Sequence, residues 1–172
     1  MGPAVTVKVF PGDNLMVHKA LDLLEPGDVL VIDSAGSRHN SVIGDMIATK
    51  AKHRGATGIV VDGVVRDLPA LQELGLPIYA RGVCPLGPLH RGPGEINYPV
   101  NCGGVVVHPG DIVAADQNGV VIVHRDFAEA IMQQLTTKQP GLARYVAEVR
   151  KGIFSNQWVD ELLNSQGCIF DD

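Results

Sequence analysis

The sequence predicts an α/β fold with at least some parallel strands, and three observations carry that expectation. Strand-like and helix-like patterns alternate through the first eighty residues. Residues 29–33 and 58–62 are apolar runs of strand length, the pattern of strands buried in a sheet. The second half then changes to a Gly/Pro-rich stretch, short strands and a helical end. Strands separated by helices read as βαβ units of a parallel sheet.

Taken in order, Val5, Val7 and Val9 alternate with Thr6 and Lys8, the period of a half-buried strand over 4–10. Asp13-Asn14 can cap a helix over 15–24, where Val17, Leu21 and Leu24 recur at helical spacing. Pro26-Gly27-Asp28 turns the chain into the strand that ends on Asp33, and a small-residue loop follows over 34–37. Gly44-Asp45 opens a second helix that runs to about Arg54 and stops at Gly55. The strand over 58–62 precedes a short helix at 69–74 and a strand at 78–80.

Residues 81–94 hold Pro85, Gly87, Pro88, Gly92, Pro93 and Gly94 and predict irregular structure. Strands are expected at 105–107, 112–115 and 120–123, the last two joined by Asn118-Gly119, a strong hairpin pair. The turn Pro26-Gly27-Asp28 is echoed by Pro109-Gly110-Asp111, so one turn-strand unit is used twice. Helices are expected at 127–137 and 142–151, followed by a tail containing Trp158. The expectation is one α/β domain over 1–172, with a core at about 4–137 and a helical C-terminal arm at about 138–172.

Fourteen Lys and Arg face nineteen Asp and Glu, for a net charge of −5. No basic block is present, which argues against a nucleic-acid partner. An acidic chain that takes an anionic ligand must hold it with local charge. The three cysteines, Cys84, Cys102 and Cys168, form no CxxC pair, and no secretory apolar segment or membrane span is seen; the expected setting is reducing and cytoplasmic. The six histidines show no zinc-ligand spacing, and neither a Walker loop nor GxSxG occurs.

Two places remain for chemistry. At Gly44-Asp45-Met46-Ile47, the free N–H groups of a helix start suit a carboxylate ligand. Equally, Gly44 can simply open the helix, with Asp45 complementing its dipole. The second place, Asp62-Gly63-Val64-Val65-Arg66-Asp67, follows an apolar strand, where α/β sheets bind ligands. Arg66 offers a planar fork for a carboxylate and Asp67 a hard oxygen for Mg²⁺ or Mn²⁺. The structural alternative is that Asp67 caps the helix beginning Leu68-Pro69 and Arg66 is solvated.

Gly44-Asp45, residues 56–62 and Gly63-Val64-Val65-Arg66-Asp67 together resemble the family of regulator of ribonuclease activity A and 4-hydroxy-4-methyl-2-oxoglutarate aldolase. The similarity includes Gly2-Pro3-Ala4-Val5-Thr6-Val7, Pro109-Gly110-Asp111 and residues 116–123, and covers the chain to about residue 126. It implies a swivelling β/β/α fold, shortened at its N-terminus relative to the family. It also implies that Gly44, Asp45, Met46 and Ile47 bind a pyruvyl carboxylate with Arg66, that Asp67 holds the divalent metal, and that Asp45 and Arg66 serve catalysis. A glutamate from a neighbouring subunit completes such sites, and Glu148 is the candidate for it.

The activity implied is metal-dependent cleavage of 4-hydroxy-4-methyl-2-oxoglutarate or 4-carboxy-4-hydroxy-2-oxoadipate type substrates through a pyruvate enolate. Oxaloacetate decarboxylation would be a second activity, and the assembly a homotrimer or a hexamer. Retention of Asp67 favours the aldolase branch. Where aldolases carry a further acidic residue three places on, this chain has Ala70, which thins the support of a metal's water shell. The alternatives are a non-catalytic regulator of ribonuclease activity acting by protein binding, and a Schiff-base aldolase using Lys50 or Lys52.

Overall fold

Alternating side chains in the first strands have two faces to fill, and the computed structural model, which describes residues 1–168, shows both filled. The last four residues of the expected helical arm, 169–172, lie outside the described residues. The chain runs through β1 (Gly2–Val9), α1 (Leu15–Ala20), β2 (Val29–Ile43), α2 (Asp45–His53), β3 (Gly58–Val65), α3 (Leu68–Leu74) and β4 (Ile78–Val83). Short strands follow: β5 (Gly94–Ile96), β6 (Val100–Cys102), β7 (Val105–Val107), β8 (Ile112–Asp116) and β9 (Gly119–Val123). The end of the chain is helical, with α4 (Ala128–Val149) and α5 (Gln157–Ser165).

A seven-stranded sheet is ordered β4-β3-β2-β1-β8-β9, and β5 pairs with the end of β1. β1 through β4 are parallel, as the βαβ reading predicts, whereas β8 and β9 are antiparallel. Val5, Val7, Leu30, Ile32, Ile59 and Val61 form one core with Val17 of α1, Ile47 and Ala51 of α2 and Leu71 of α3. Their neighbours Ala4, Val29, Val31 and Val60 form a second core with Val100, Val107 and Val113. The layers are therefore helices, parallel sheet and a small β layer, which is a mixed α/β arrangement of the β/β/α kind. Leu30, Ile32 and Ile59 are fully buried, and each contributes roughly 1.5–3 kcal/mol relative to an exposed side chain.

Several elements differ from expectation for local reasons. α1 ends at Ala20 and tightens into a 3₁₀ turn over Leu21–Leu23 before Pro26. β2 does not stop at Asp33. It makes a bulged excursion through Ala35 and Gly36, both at positive φ, and rejoins β3 where Ser41 pairs Val64 and Ile43 pairs Val65. Residues 34–40 lack an apolar alternation, so no periodicity marks the return. β5 and β6 are three residues long and were not expected. α4 continues through Pro140 where two helices were expected; the carbonyl of Thr136, which loses its partner there, belongs to an exposed residue.

The chain divides into two compact units, Met1–Ala128 and the residues from Glu129 onward. Within the second, α4 and α5 are amphipathic and leave Leu135, Leu142, Trp158 and Leu162 exposed. Among the described residues, no helix is long and apolar enough to cross a membrane.

One buried carboxylate ties the first connection to the Gly/Pro-rich loop. Asp13, 1% exposed, accepts from Leu15 N at 2.8 Å, Arg91 N at 2.6 Å and Gly92 N at 3.2 Å. Burial alone would raise its pKa; the three backbone donors more than reverse this, so it lies below the ordinary carboxylate range. A depressed carboxylate stabilises the fold above its unfolded pKa, and that stabilisation is lost as pH falls through the folded value. Asp13→Asn should therefore cost about 2–3 kcal/mol at neutral pH. In urea titrations, the deficit relative to the parent should shrink below about pH 3.9. A deficit that stays constant across that window would show that the charge is not what holds the loop.

Candidate active site

Parallel pairing of β2 with β3 sets where the site can form. The ladder ends with Ile43 opposite Val65, and Arg66 N donates to Ile43 O at 3.0 Å. The residues that follow the two strands, Gly44 and Arg66-Asp67, are thereby brought side by side at the carboxyl ends of parallel strands. Gly44 is buried and opens α2 in extended geometry. A Cβ on it would overlap Asp67 Oδ2 and stand 2.9 Å from Arg66 Cγ. Close approach of two chain segments, not backbone conformation, is what requires glycine here.

Asp67 occupies the left-handed region at φ 60°, ψ 37°, which is uncommon for a residue with a side chain. It stands at the N-cap position of α3, yet its side chain makes no capping bond there. Its Oδ2 accepts instead from Asp45 N of α2 at 3.3 Å and lies 3.3 Å from Arg66 Nε. No hydrogen bond forms there, and this buried donor has no partner among the described residues. The α2 start is further closed by Met46 N, which donates to Asp45 Oδ1 at 2.7 Å.

Gly44, Asp45 and Arg66 line a cavity of about 320 Å³ together with Asn14, His18 and His90, among others, and Asp67 lies behind Asp45 and Arg66. Asn14 is buried; its Nδ2 donates to Val42 O at 3.0 Å while Oδ1 has no partner. A buried acceptor of that kind is complete only when a donor arrives. The His18 and His90 rings stand 5.9 Å apart. Burial, then the charges of Lys50 and His90, push the His18 imidazole below its ordinary value, so it is neutral at pH 7. The far wall is the Gly/Pro-rich loop, held where Ser41 Oγ donates to Leu86 O at 2.7 Å and Asn40 Nδ2 donates to Gly87 O at 2.6 Å.

The structure thus gathers Gly44, Asp45, Met46, Ile47, Arg66 and Asp67 into one region. Backbone groups of Met46 and Ile47 face it; the Ile47 side chain is in the core and that of Met46 is exposed. Glu148 sits on α4 in the second unit, where Arg144 Nε donates to it at 3.0 Å. Asn14, His18 and His90 were missed by the sequence reading. The clue available was position: Asn14 and the 84–93 loop both follow strands that end on the same side as β2 and β3.

A second cavity, of about 330 Å³, lies against the other face of the sheet and is lined by Asp62, Tyr79, Arg81, Cys102 and apolar neighbours. Arg81 Nε donates to Asp62, and Gly103 N donates to the second oxygen of that carboxylate at 3.1 Å. Burial, with the Asp62 and Asp33 carboxylates, pushes the Cys102 thiol up to about 12. It is therefore protonated and a poor nucleophile. Cys84, Cys102 and Cys168 are unpaired.

Comparison with known proteins agrees with this architecture. The family model described as RraA-like, Aldolase/RraA, matches residues 1–122. A protein of Halalkalibacterium halodurans named "Putative 4-hydroxy-4-methyl-2-oxoglutarate aldolase" is 42% identical over 139 residues. The match takes in 81% of this chain and 66% of that relative, so this chain spans just under two thirds of its length. Among solved structures, Streptomyces coelicolor RraAS2, described as an unusual member of the RNase ES inhibitor RraA protein family, superposes with a TM-score of 0.74 at 36% identity, covering 83% of this chain and 75% of that one. The "RNA-processing inhibitor RraA from Thermus thermophilis" superposes with a TM-score of 0.67 at 34% identity, covering 71% and 74%. With the family model spanning most of the chain and the same mixed α/β fold in its structural neighbours, the chain belongs to the RraA-like (Aldolase/RraA) family.

Proposed function

We propose that this protein is a divalent-metal-dependent carbon–carbon lyase acting on small 2-oxo acids. The reading rests on one observation: an Arg fork and a helix N-terminus line one cavity, and the Asp67 carboxylate lies against both of them. A 2-oxo acid carries a carboxylate beside a keto oxygen. Arg66, with its unpartnered Nε, and the amides at the start of α2 would hold the carboxylate.

Asp67 would hold the cation: one of its oxygens is engaged by Asp45 N–H, and the donor set is a hard carboxylate suited to Mg²⁺ or Mn²⁺ that retains most of its waters. When bound, such a cation supplies Lewis-acid polarisation of the keto oxygen. Asn14 Oδ1 would accept from the substrate's hydroxyl, and neutral His18 would take a proton released in the pocket. Substrates of the 4-hydroxy-4-methyl-2-oxoglutarate or 4-carboxy-4-hydroxy-2-oxoadipate type fit this set, with oxaloacetate decarboxylation through the same pyruvate enolate. The name of the Halalkalibacterium halodurans relative supports the aldolase side.

Assembly as a homotrimer or hexamer, with Glu148 contributed to a neighbour's site, and a cytoplasmic setting belong to the same reading; the unpaired cysteines fit the latter. The domain is proposed as one α/β core with a helical arm. A second reading, regulation of a ribonuclease by protein binding, is supported by the similarity to the Streptomyces coelicolor and Thermus inhibitor proteins and by Ala70.

A pyruvate-release assay over a panel of 2-oxo acids separates the two readings. Turnover should vanish with EDTA and return with Mg²⁺ or Mn²⁺; no release from any member of the panel would favour the regulator. Arg66→Lys keeps the charge but loses the fork, and should raise KM and lower kcat together. Asp67→Ala should abolish metal-dependent turnover while the thermal transition persists. Gly44→Ala tests the close approach. Displacing Asp67 and Arg66 should cost on the order of 100-fold in kcat/KM, with a small change in Tm, and a variant as active as its parent would show that their placement is not critical.

A further inference from the structure

At the other end of β1 from the oxo-acid cavity, three metal-ligating side chains meet in a place the proposed reaction does not use. His108 follows β7, Asp111 precedes β8 and His124 follows β9. One ligand atom from each lies within 4.8 Å of the others. Asp111 O accepts from Ala4 N at 2.9 Å, which anchors the cluster beside the start of β1, whereas the oxo-acid cavity lies beyond the ends of β2 and β3. We infer that His108, Asp111 and His124 form a second metal site, for a first-row transition dication of the Zn²⁺ type.

The geometry carries this through the central carboxylate. Asp111 is 1% exposed, its Oδ2 accepts from His108 N at 2.8 Å and its Oδ1 from Arg125 N at 3.2 Å. Those two bonds fix the carboxylate plane and leave lone pairs on both oxygens. His108 Nδ1 stands 3.5 Å from Oδ2, and the two imidazoles meet edge to face with centroids 5.3 Å apart. Both rings are partly exposed, so an ion can enter and water can complete its shell.

The echoed turn provides an internal control. At Pro26-Gly27-Asp28, Asp28 Oδ2 accepts from Glu25 N at 2.8 Å, the same turn closure that Asp111 makes. Asp28 is only half-buried and has no imidazole beside it in that role. Closing the turn therefore accounts for one bond of Asp111 and not for its burial or for two converging histidines. Two imidazole nitrogens and one carboxylate oxygen, with positions open to water, suit Zn²⁺, Co²⁺ or Ni²⁺ better than Mg²⁺. The ion would tie the ends of β7 and β9 to the start of β8.

The test uses the full chain stripped of metal and titrated with Zn²⁺ by calorimetry in Mg²⁺-containing buffer, so that the hard-oxygen site is already supplied. One Zn²⁺ per chain should bind, in the parent and in Asp67→Ala alike, and Tm should rise with Zn²⁺ because only the folded chain presents the site. His108→Ala and His124→Ala should each weaken binding by at least about 10-fold, a floor set by what even outer partners of a metal cost, and should lose the Tm rise. In the Co²⁺-loaded parent, shifted imidazole N–H resonances should count two histidine ligands, a readout that does not depend on the variants folding. No binding by the parent, isotherms unchanged in the histidine variants, or no histidine resonances shifted by Co²⁺ would each overturn the assignment.

Discussion

Everything at the candidate active site depends on the register of β2 against β3. Val29 pairs Gly58, and the ladder proceeds without a break to Asp33 opposite Asp62. β2 then spends ten residues, and β3 three, before Ile43 and Val65 finish opposite each other. The excursion is tolerable because its buried hydroxyls are satisfied: Ser34 Oγ accepts from Gly12 N at 3.1 Å, and Ser41 Oγ reaches Leu86 O. A slip of one residue would turn the alternating Leu30/Val31 and Ile59/Val60 sets to the wrong cores, so the register is strongly specified. Placement of the candidate site is inherited from core packing.

That inheritance explains how an acidic chain would present the proposed site for an anion. Positive potential comes from the Arg66 guanidinium and from the N-terminal end of α2, not from net charge. Asp45 and Asp67 keep this potential local because their carboxylates accept from the first N–H groups of α2. Two of the buried carboxylates outside the site, Asp13 and Asp111, are also held by backbone N–H groups, so loops at both ends of the first unit are pinned by charge-assisted bonds.

Much of this was legible in the residues. Val5, Val7 and Val9, the apolar runs at 29–33 and 58–62, and the Asn118-Gly119 pair marked strands and a hairpin that the structure contains. Gly44 and Arg66-Asp67 could be singled out because strand ends and helix starts carry ligands in α/β folds. What was not legible depends on distance along the chain. His108 and His124 are sixteen residues apart and meet only because β8 and β9 fold back on each other. Asn14 looked like a helix cap, and only packing shows that Asp13 does the capping and Asn14 turns toward the cavity. β5 and β6 are too short to show a period.

The bond from Asp45 N–H to Asp67 Oδ2 has a kinetic meaning. The protein's own carboxylate occupies one of the amides that, on the proposed reading, an incoming carboxylate would use. Two anions would then contend for the same donor, and the guest would have to evict the resident before settling beside Arg66. Any agent that draws Asp67 away vacates the seat in advance. On the proposed reading, loading of the pocket would therefore take a preferred sequence, cation first and acid second, from a single shared hydrogen atom.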